Sequence, residues 1–361
     1  MTPQPVDPSG LTLDRVDDRS AAVERLVAAC GGRVPFDGLL GDLPRRLRIT
    51  PAPGRAVHEA FRYDRRDQLD LRWWPQGVST NADSGVLPHR RLAMITWYAK
   101  KLPWDESDQG VRLTVMDLDR LRYRHVLLVR ATDDGGIEPL HIHAGGLVWQ
   151  TSATHGSMVH VAGTARGLFT CLLEDLVRVP DRASAFGYRY VLPVRWQYKA
   201  GAAKGVERFR YSFTSLDRQA DDAGALGPGP TLYAGEYTND PERTRRLARF
   251  TLGDGTAPHA DLELIGSGPR RMQGVVDARG TLHLTVSQGR LVRGSVFTGV
   301  PGDLHEHLHA TPMGNEDISY SPDEDLLYSV SEHPSVRWLF TMRRSWFEHD
   351  RARRPAPVAG D

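Results

Sequence analysis

Cysteine is nearly absent, with only Cys30 and Cys171 in 361 residues, so neither a disulfide framework nor a paired-cysteine metal knuckle can organise this chain. Long apolar runs are missing as well. No stretch approaches the ~20 residues needed to cross a bilayer, and Met1 to Gly10 lacks the basic start and apolar core of a secretory leader. The expectation is a cytoplasmic chain with no membrane partner. An excess of charge of one sign is also lacking. The 46 basic and 45 acidic residues leave a formal net charge of +1, which removes the long-range field that would draw the chain onto nucleic acid or anionic lipid. Arginine pairs recur at Arg45-Arg46, Arg65-Arg66, Arg90-Arg91, Arg245-Arg246, Arg270-Arg271 and Arg343-Arg344. Acids are interleaved with them, so they read as mutually compensated surface.

Several signatures of familiar chemistry are missing too. There is no Gly-x-Ser-x-Gly elbow and no Gly-Lys-Thr or Gly-Lys-Ser phosphate loop. Gly135-Gly136 and Gly227-Pro228-Gly229 fall in turns instead of before helices, so no nucleotide cradle is expected. His141 and His143 share one face of an extended segment, and His305, Glu306, His307 and His309 cluster further on, but their spacing matches no metal motif. The sequence predicts neither metal nor cofactor.

What remains is strand. A composition 40% hydrophobic, 25% charged and 8% aromatic supplies a sizeable core. The one clear helical period runs from Ser20 to Cys30, where Val23, Leu26, Val27 and Cys30 share a face and Gly31-Gly32 stop it. Nearly everything afterwards consists of short β-branched and aromatic runs between Gly, Pro, Asp and Asn.

Four segments are alike: Pro75 to Ser79, His143 to Val148, Met272 to Val276 and Asn315 to Ser319. Each opens a series of strands, and a further unit without the glycine anchor fits between the second and third. The pattern predicts an all-β fold, a five-bladed β-propeller of four-stranded units with a short N-terminal helical extension. The last unit is one strand short, and Arg45 to Thr50 is the extended segment expected to complete it and hide the open sheet edges. The predicted boundaries are residues 1–44 for the extension, 45–348 for the propeller and 349–361 for a disordered tail. Trp97, Trp149, Trp196 and Trp338 fall in strands and are expected to pack one blade on the next.

From Phe61 onward the residues support a resemblance. Phe61-Arg62-Tyr63, Trp74-Pro75-Gln76-Gly77-Val78 and Tyr123-Arg124-His125-Val126-Leu127-Leu128-Val129 carry it, as do His143-Ala144-Gly145-Gly146 and Met272-Gln273-Gly274. Glu316-Asp317-Ile318-Ser319-Tyr320 and Ser331-Glu332-His333-Pro334 complete the set. Together they resemble an actinobacterial family of propeller-like proteins usually described as secreted or hypothetical. The resemblance implies the fold and no particular reaction.

In a propeller the innermost strands all run the same way, so their first residues ring one mouth of the central channel, and the loops joining second to third strands overhang it. Those rules select Gln76, His143, Gln273 and Glu316 from the strand starts, with Glu236, Ser287, Glu332 and His333 from the loops. Carboxylates, imidazoles and amides in one funnel suit a small-molecule site. Glu316 is the expected proton-transferring carboxylate, His143 its imidazole counterpart, and Gln76 and Gln273 the orienting amides. The leading expectation is a cofactor-independent biosynthetic enzyme that cyclises, eliminates or isomerises a small organic metabolite. A glycoside hydrolase using Glu236, Glu316 and Glu332 and a non-catalytic ligand-binding or scaffolding propeller are the alternatives.

Overall fold

The computed structural model describes residues 10–103, 109–217, 231–252 and 258–353. The chain enters through strand β1 (Leu11–Val16), helices α1 (Ser20–Ala29) and α2 (Phe36–Leu40), and the short strands β2 (Arg45–Arg46) and β3 (Arg48–Ile49). Strand β4 (Val57–Arg62) and helix α3 (Arg65–Leu69) lead into the first unit, made of β5 (Trp73–Thr80), β6 (Leu92–Ala99), β7 (Val111–Asp117) and β8 (Arg122–Ala131). Helix α4 (Asn81–Ser84) lies between β5 and β6, and β9 (Ile137–Pro139) edges β8. The second unit is β10 (Ala144–Ser152), β11 (Gly156–Gly163), β12 (Gly167–Leu172) and, after the short β13 (Val177–Arg178), the long β14 (Tyr190–Ala202). The third is β15 (Phe213–Asp217), β16 (Thr231–Gly235), β17 (Arg246–Thr251) and β18 (Asp261–Ser267). Strands β19 (Met272–Ala278), β20 (Thr281–Val286), β21 (Ser295–Val300) and β22 (Asp303–His307) form the next. The last contains β23 (Asn315–Ser321), β24 (Leu326–Ser331) and β25 (Trp338–Arg343), followed by helix α5 (Arg344–Arg353).

Local chemistry explains the strand pairs. Between β19 and β20, for example, Arg279 and Gly280 both adopt positive φ (56° and 82°), and Asp277 Oδ1 accepts the Gly280 N–H at 2.8 Å. Two left-handed residues twist a two-residue turn in the sense that flanking strands need. Apolar side chains then alternate outward from each sheet to meet the neighbouring unit. Met94, Leu113 and Val126 meet Leu147, Val159 and Phe169, and Tyr328 and Leu339 of the last unit meet Ile95 and Trp97 of the first. The core is thus a series of layers between sheets. All four strand tryptophans sit in those layers.

The first strands pack side by side in a closed circuit, β5 on β10, β10 on β15, β15 on β19, β19 on β23, and β23 back on β5. This is the architecture of a β-propeller. The circuit is tight enough to dictate glycine: a Cβ on Gly146 would lie 2.2 Å from Thr214 N, and one on Gly274 would lie 2.8 Å from Asp317 Cα. The repeated glycines in the anchor segments exist for this close approach.

Three expectations need correction. The strand that completes the last unit is β4, paired with β25 from Trp338↔Arg62 to Met342↔Val57, and not Arg45 to Thr50. Pro51, Pro53 and Gly54 interrupt the chain after Thr50, so that segment supplies only β2 on the edge of β8 and β3 on the edge of β4. The N-terminal extension holds two helices and a strand: β1 adds to β14 from Leu11↔Ala202 to Val16↔Gln197, burying Leu13. Finally, residues 349–353 belong to α5, anchored by Phe347, which is buried among Val296, Ile318 and Phe340. Residues 354–361 lie outside the described residues.

Candidate active site

Each anchored first strand carries a bulge at its start. The ladder shifts register between Pro75 and Val78, between Ala144 and Gly146, between Met272 and Gly274, and between Asn315 and Ile318. A bulge frees residues from pairing and re-aims their side chains. Gln76, Gln273 and Glu316 are the freed residues. Gln76 Nε2 donates to Glu332 Oε2 at 3.0 Å, and Gln273 Nε2 donates to Glu316 Oε1 at 3.1 Å. Two amides from different units therefore hold two carboxyl groups at one mouth.

The two carboxyls have unusual surroundings. Glu316 is buried, 2% exposed, and its pKa is driven well above the ordinary glutamate value, first by burial, then by the neighbouring charges of Glu332 and Asp317. Glu332, whose side chain is 17% exposed, is pushed up to about 7 by burial, with Lys100, the Gln76 amide and Arg337 pulling the other way. Burial at both carboxyls, and the charge of Glu332 at Glu316, therefore favour the protonated form.

Asp317 lies beside them. Its Oδ2 accepts the backbone N–H groups of Val78 and Leu147, each at 3.2 Å, tying β23 to β5 and β10. Oδ1 is buried without a hydrogen-bond partner among the described residues, and burial drives this carboxyl well above its usual range despite those donors.

The imidazoles behave differently from expectation. His143 is exposed, and its ring lies 4.3 Å from the Tyr98 ring at a tilt of 58°. Desolvation, then the Lys100 charge, lowers its pKa to about 4. His333 is likewise lowered to about 4 by burial, Arg290, Lys100 and Arg337, and its Nδ1 stands 3.4 Å from Glu332 Oε1. Both shifts favour the neutral imidazole, while burial pushes Glu332 up to about 7.

Two selected residues do not join the pair. Glu236 is fully buried and clamped by Arg246, which donates to it through Nη2 at 2.7 Å and through Nε and the backbone N–H at 2.9 Å each. Burial raises its pKa, but the arginine bonds outweigh burial and hold it below the ordinary value. An ionised, fully bonded carboxylate has no proton to give, so Glu236 braces the loop after β16. Ser287 caps the loop after β20, its hydroxyl accepting the Gly289 N–H at 3.4 Å. That loop carries Arg290, whose charge reaches Glu332 and His333.

Reading the sequence missed Lys100, Trp74 and Tyr237. Lys100 Nζ lies 3.0 Å from the centroid of the Trp74 ring, and burial lowers its pKa against the pull of Glu332 and Glu316. Tyr237, 39% exposed, is within electrostatic reach of both glutamates. Lys100 and Tyr237 sit on second-to-third-strand loops, so the rule that found Glu332 would also have found them. Among the described residues no group of three His, Cys, Asp or Glu is placed to hold a metal ion. His307 instead joins Thr298 and Asp350, each at 2.9 Å.

No family model and no curated protein matches this sequence. Among solved structures, a gluconolactonase from Xanthomonas campestris is 13% identical with a TM-score of 0.37, over 86% of this chain and 89% of that one. A GH43 β-xylosidase/α-arabinofuranosidase from a compost microbial metagenome is 12% identical with a TM-score of 0.40, over 82% and 94%. A GH43 enzyme from Xanthomonas citri is 10% identical with a TM-score of 0.40, over 90% and 92%.

Proposed function

We propose that this chain is a five-bladed propeller enzyme that cleaves a glycoside-like bond in a small organic substrate, with Glu316 and Glu332 as its paired carboxyls. The observation that carries this reading is the pair itself: two carboxyl groups from β23 and the loop after β24, each held by a glutamine and each favoured in its protonated form by burial. In such a pair the protonated member donates to the departing oxygen as the glycosidic bond breaks. The ionised member then takes the proton of an attacking water, or attacks the anomeric carbon itself. Tyr237 gives the mouth exposed aromatic surface, and Gln76 and Gln273 keep the carboxyls oriented.

A second reading keeps the same groups for cyclisation, elimination or isomerisation. It is favoured by His143, a neutral imidazole at the mouth that can polarise a carbonyl by donating its N–H. The test is a panel of nitrophenyl pentosides and hexosides incubated with the wild-type protein, Glu316→Gln and Glu332→Gln. The expected result is turnover of at least one member by the wild type and a loss of ~10² or more in each variant. Turnover that survives both substitutions overturns the assignment of the pair, and silence across the panel returns the second reading to first place.

A further inference from the structure

Away from the mouth, two adjoining cavities of about 320 and 710 Å³ share Pro44 and Arg45 on the flank formed by β2, β3, α3 and the segment before β14. Both are of ligand size. Seven arginines line the smaller against Asp67 and Asp70, and five line the larger against Asp64. In a chain whose net charge is +1, so local an excess is placed and not averaged. The arginine pairs Arg45-Arg46 and Arg65-Arg66 converge here, which revises their reading as compensated surface.

The carboxylates present are already committed. Asp67 is buried and receives Arg45 and Arg112 at 3.1 Å each, the Tyr123 hydroxyl at 2.6 Å and His125 at 2.9 Å. Asp64 pairs with Arg45 at 2.7 Å and caps α3 through the Asp67 N–H. Arg46, Arg48, Arg65 and Arg66 are exposed and carry no ion pair among the described residues. Deeper in, Arg112 is 3% exposed and its Nε–H has no acceptor, and the Nε–H of Arg189 is also buried and unmatched. Buried donors without acceptors destabilise the fold, and gathering like charges adds to that cost. A bound anion would relieve both.

We propose that this groove binds a small molecule carrying two or more phosphoryl groups. Guanidinium forks match phosphoryl oxygens two at a time, which a carboxylate-only ligand exploits less fully. Two adjoining cavities suit linked phosphoryl groups better than a single one. The site is separate from the carboxyl pair, so neither proposal depends on the other.

The experiment is calorimetric titration of the full chain with tripolyphosphate at an ionic strength of about 0.05 M, where screening is weak. The expected result is saturable one-to-one binding that Arg48→Ala combined with Arg65→Ala weakens ~10-fold or more. Arg208→Ala combined with Arg270→Ala removes the same charge from other exposed positions and is expected to cost less than ~2-fold. Tricarballylate, a tricarboxylate, is expected to bind ~10-fold more weakly than tripolyphosphate. Absence of saturable binding, equal losses in the two double variants, or equal affinity for tricarballylate would each overturn the proposal. So would affinity that keeps climbing with long-chain polyphosphate, which marks a polymer surface.

Discussion

Burial favours the protonated form of both Glu332 and Glu316, which ties the stability of the fold to pH. For Glu332 the folded pKa of about 7 lies above the ordinary 4.5, so the folded state binds more proton between those values than the unfolded chain. Its contribution to stability is complete below about pH 4.5 and is lost as pH rises through about 7. Glu332→Gln is therefore expected to raise Tm relative to wild type at pH 8 and to leave the two proteins alike near pH 4.5, while removing turnover. Melting curves at the two pH values check this, and a lower Tm for the variant at pH 8 would show that the carboxylate braces the mouth. Glu236→Gln is the contrasting case, because its carboxylate is ionised and bonded to Arg246. That change is expected to lower stability by about 3 kcal/mol, the cost of stranding one member of a buried ion pair. Denaturant titration reads it. Glu332 was selected from sequence because it follows a strand end. Its raised pKa was not visible there, because that shift depends on burial and on Lys100, Gln76 and Arg337, none of which spacing encodes.

Among the elements, α5 shows how a segment that looks like a polar tail becomes structural. Arg344 to Arg353 has only Trp346 and Phe347 as large apolar residues, too few for a helical stripe. Tertiary contacts supply the rest. Phe347 fills the layer between the last two units, Asp350 receives Arg55 at 2.6 Å and His307 at 2.9 Å, and Arg55 lies 5.3 Å over the Trp346 ring. Phe347→Ala is expected to cost roughly 3–5 kcal/mol, the usual range for emptying a buried aromatic site, measured by denaturant unfolding. A cost under about 1 kcal/mol would mean that the helix rests on the surface without supporting it. The bulged first strands were legible differently: their shared Gly and amide positions were visible as anchors, but the reason for them was not. A bulge is a feature of register between strands, and one strand's sequence does not state its partner's.

For the whole molecule, closure and pH response are the collective properties. Because β4 completes the last unit, a chain lacking residues 1–55 retains the closing strand, whereas one lacking residues 1–62 exposes β25 as an open edge. The longer deletion is expected to abolish the cooperative melt and the shorter one to preserve it at lower Tm. Identical behaviour of the two truncations would contradict the role of β4. Acid stability follows from histidine. Burial lowers His125 and His283 to about 4 and His160 to about 3, so the fold keeps them neutral where the unfolded chain would take up protons. Stability from these groups is complete above about pH 6.5 and is lost as pH falls toward 4. Together with the carboxyls at the mouth, which destabilise as pH rises, this predicts a stability maximum between the two limbs, measurable as Tm against pH.

The sequence by itself determined the strand class, most strand positions and the set of residues that start the inner strands, because turn residues and period-two alternation are local properties of the chain. Leu326–Ser331 as a strand and the helix from Ser20 needed no partner to be read. Tertiary structure alone decided that β4 and not Arg45 to Thr50 closes the ring, that Glu236 is spent on Arg246, and that scattered arginine pairs share one groove. Each of those outcomes depends on contact between residues far apart in sequence. Closure, ion pairing and shared cavities are set by which surfaces meet when the sheets pack, and no local pattern carries that information.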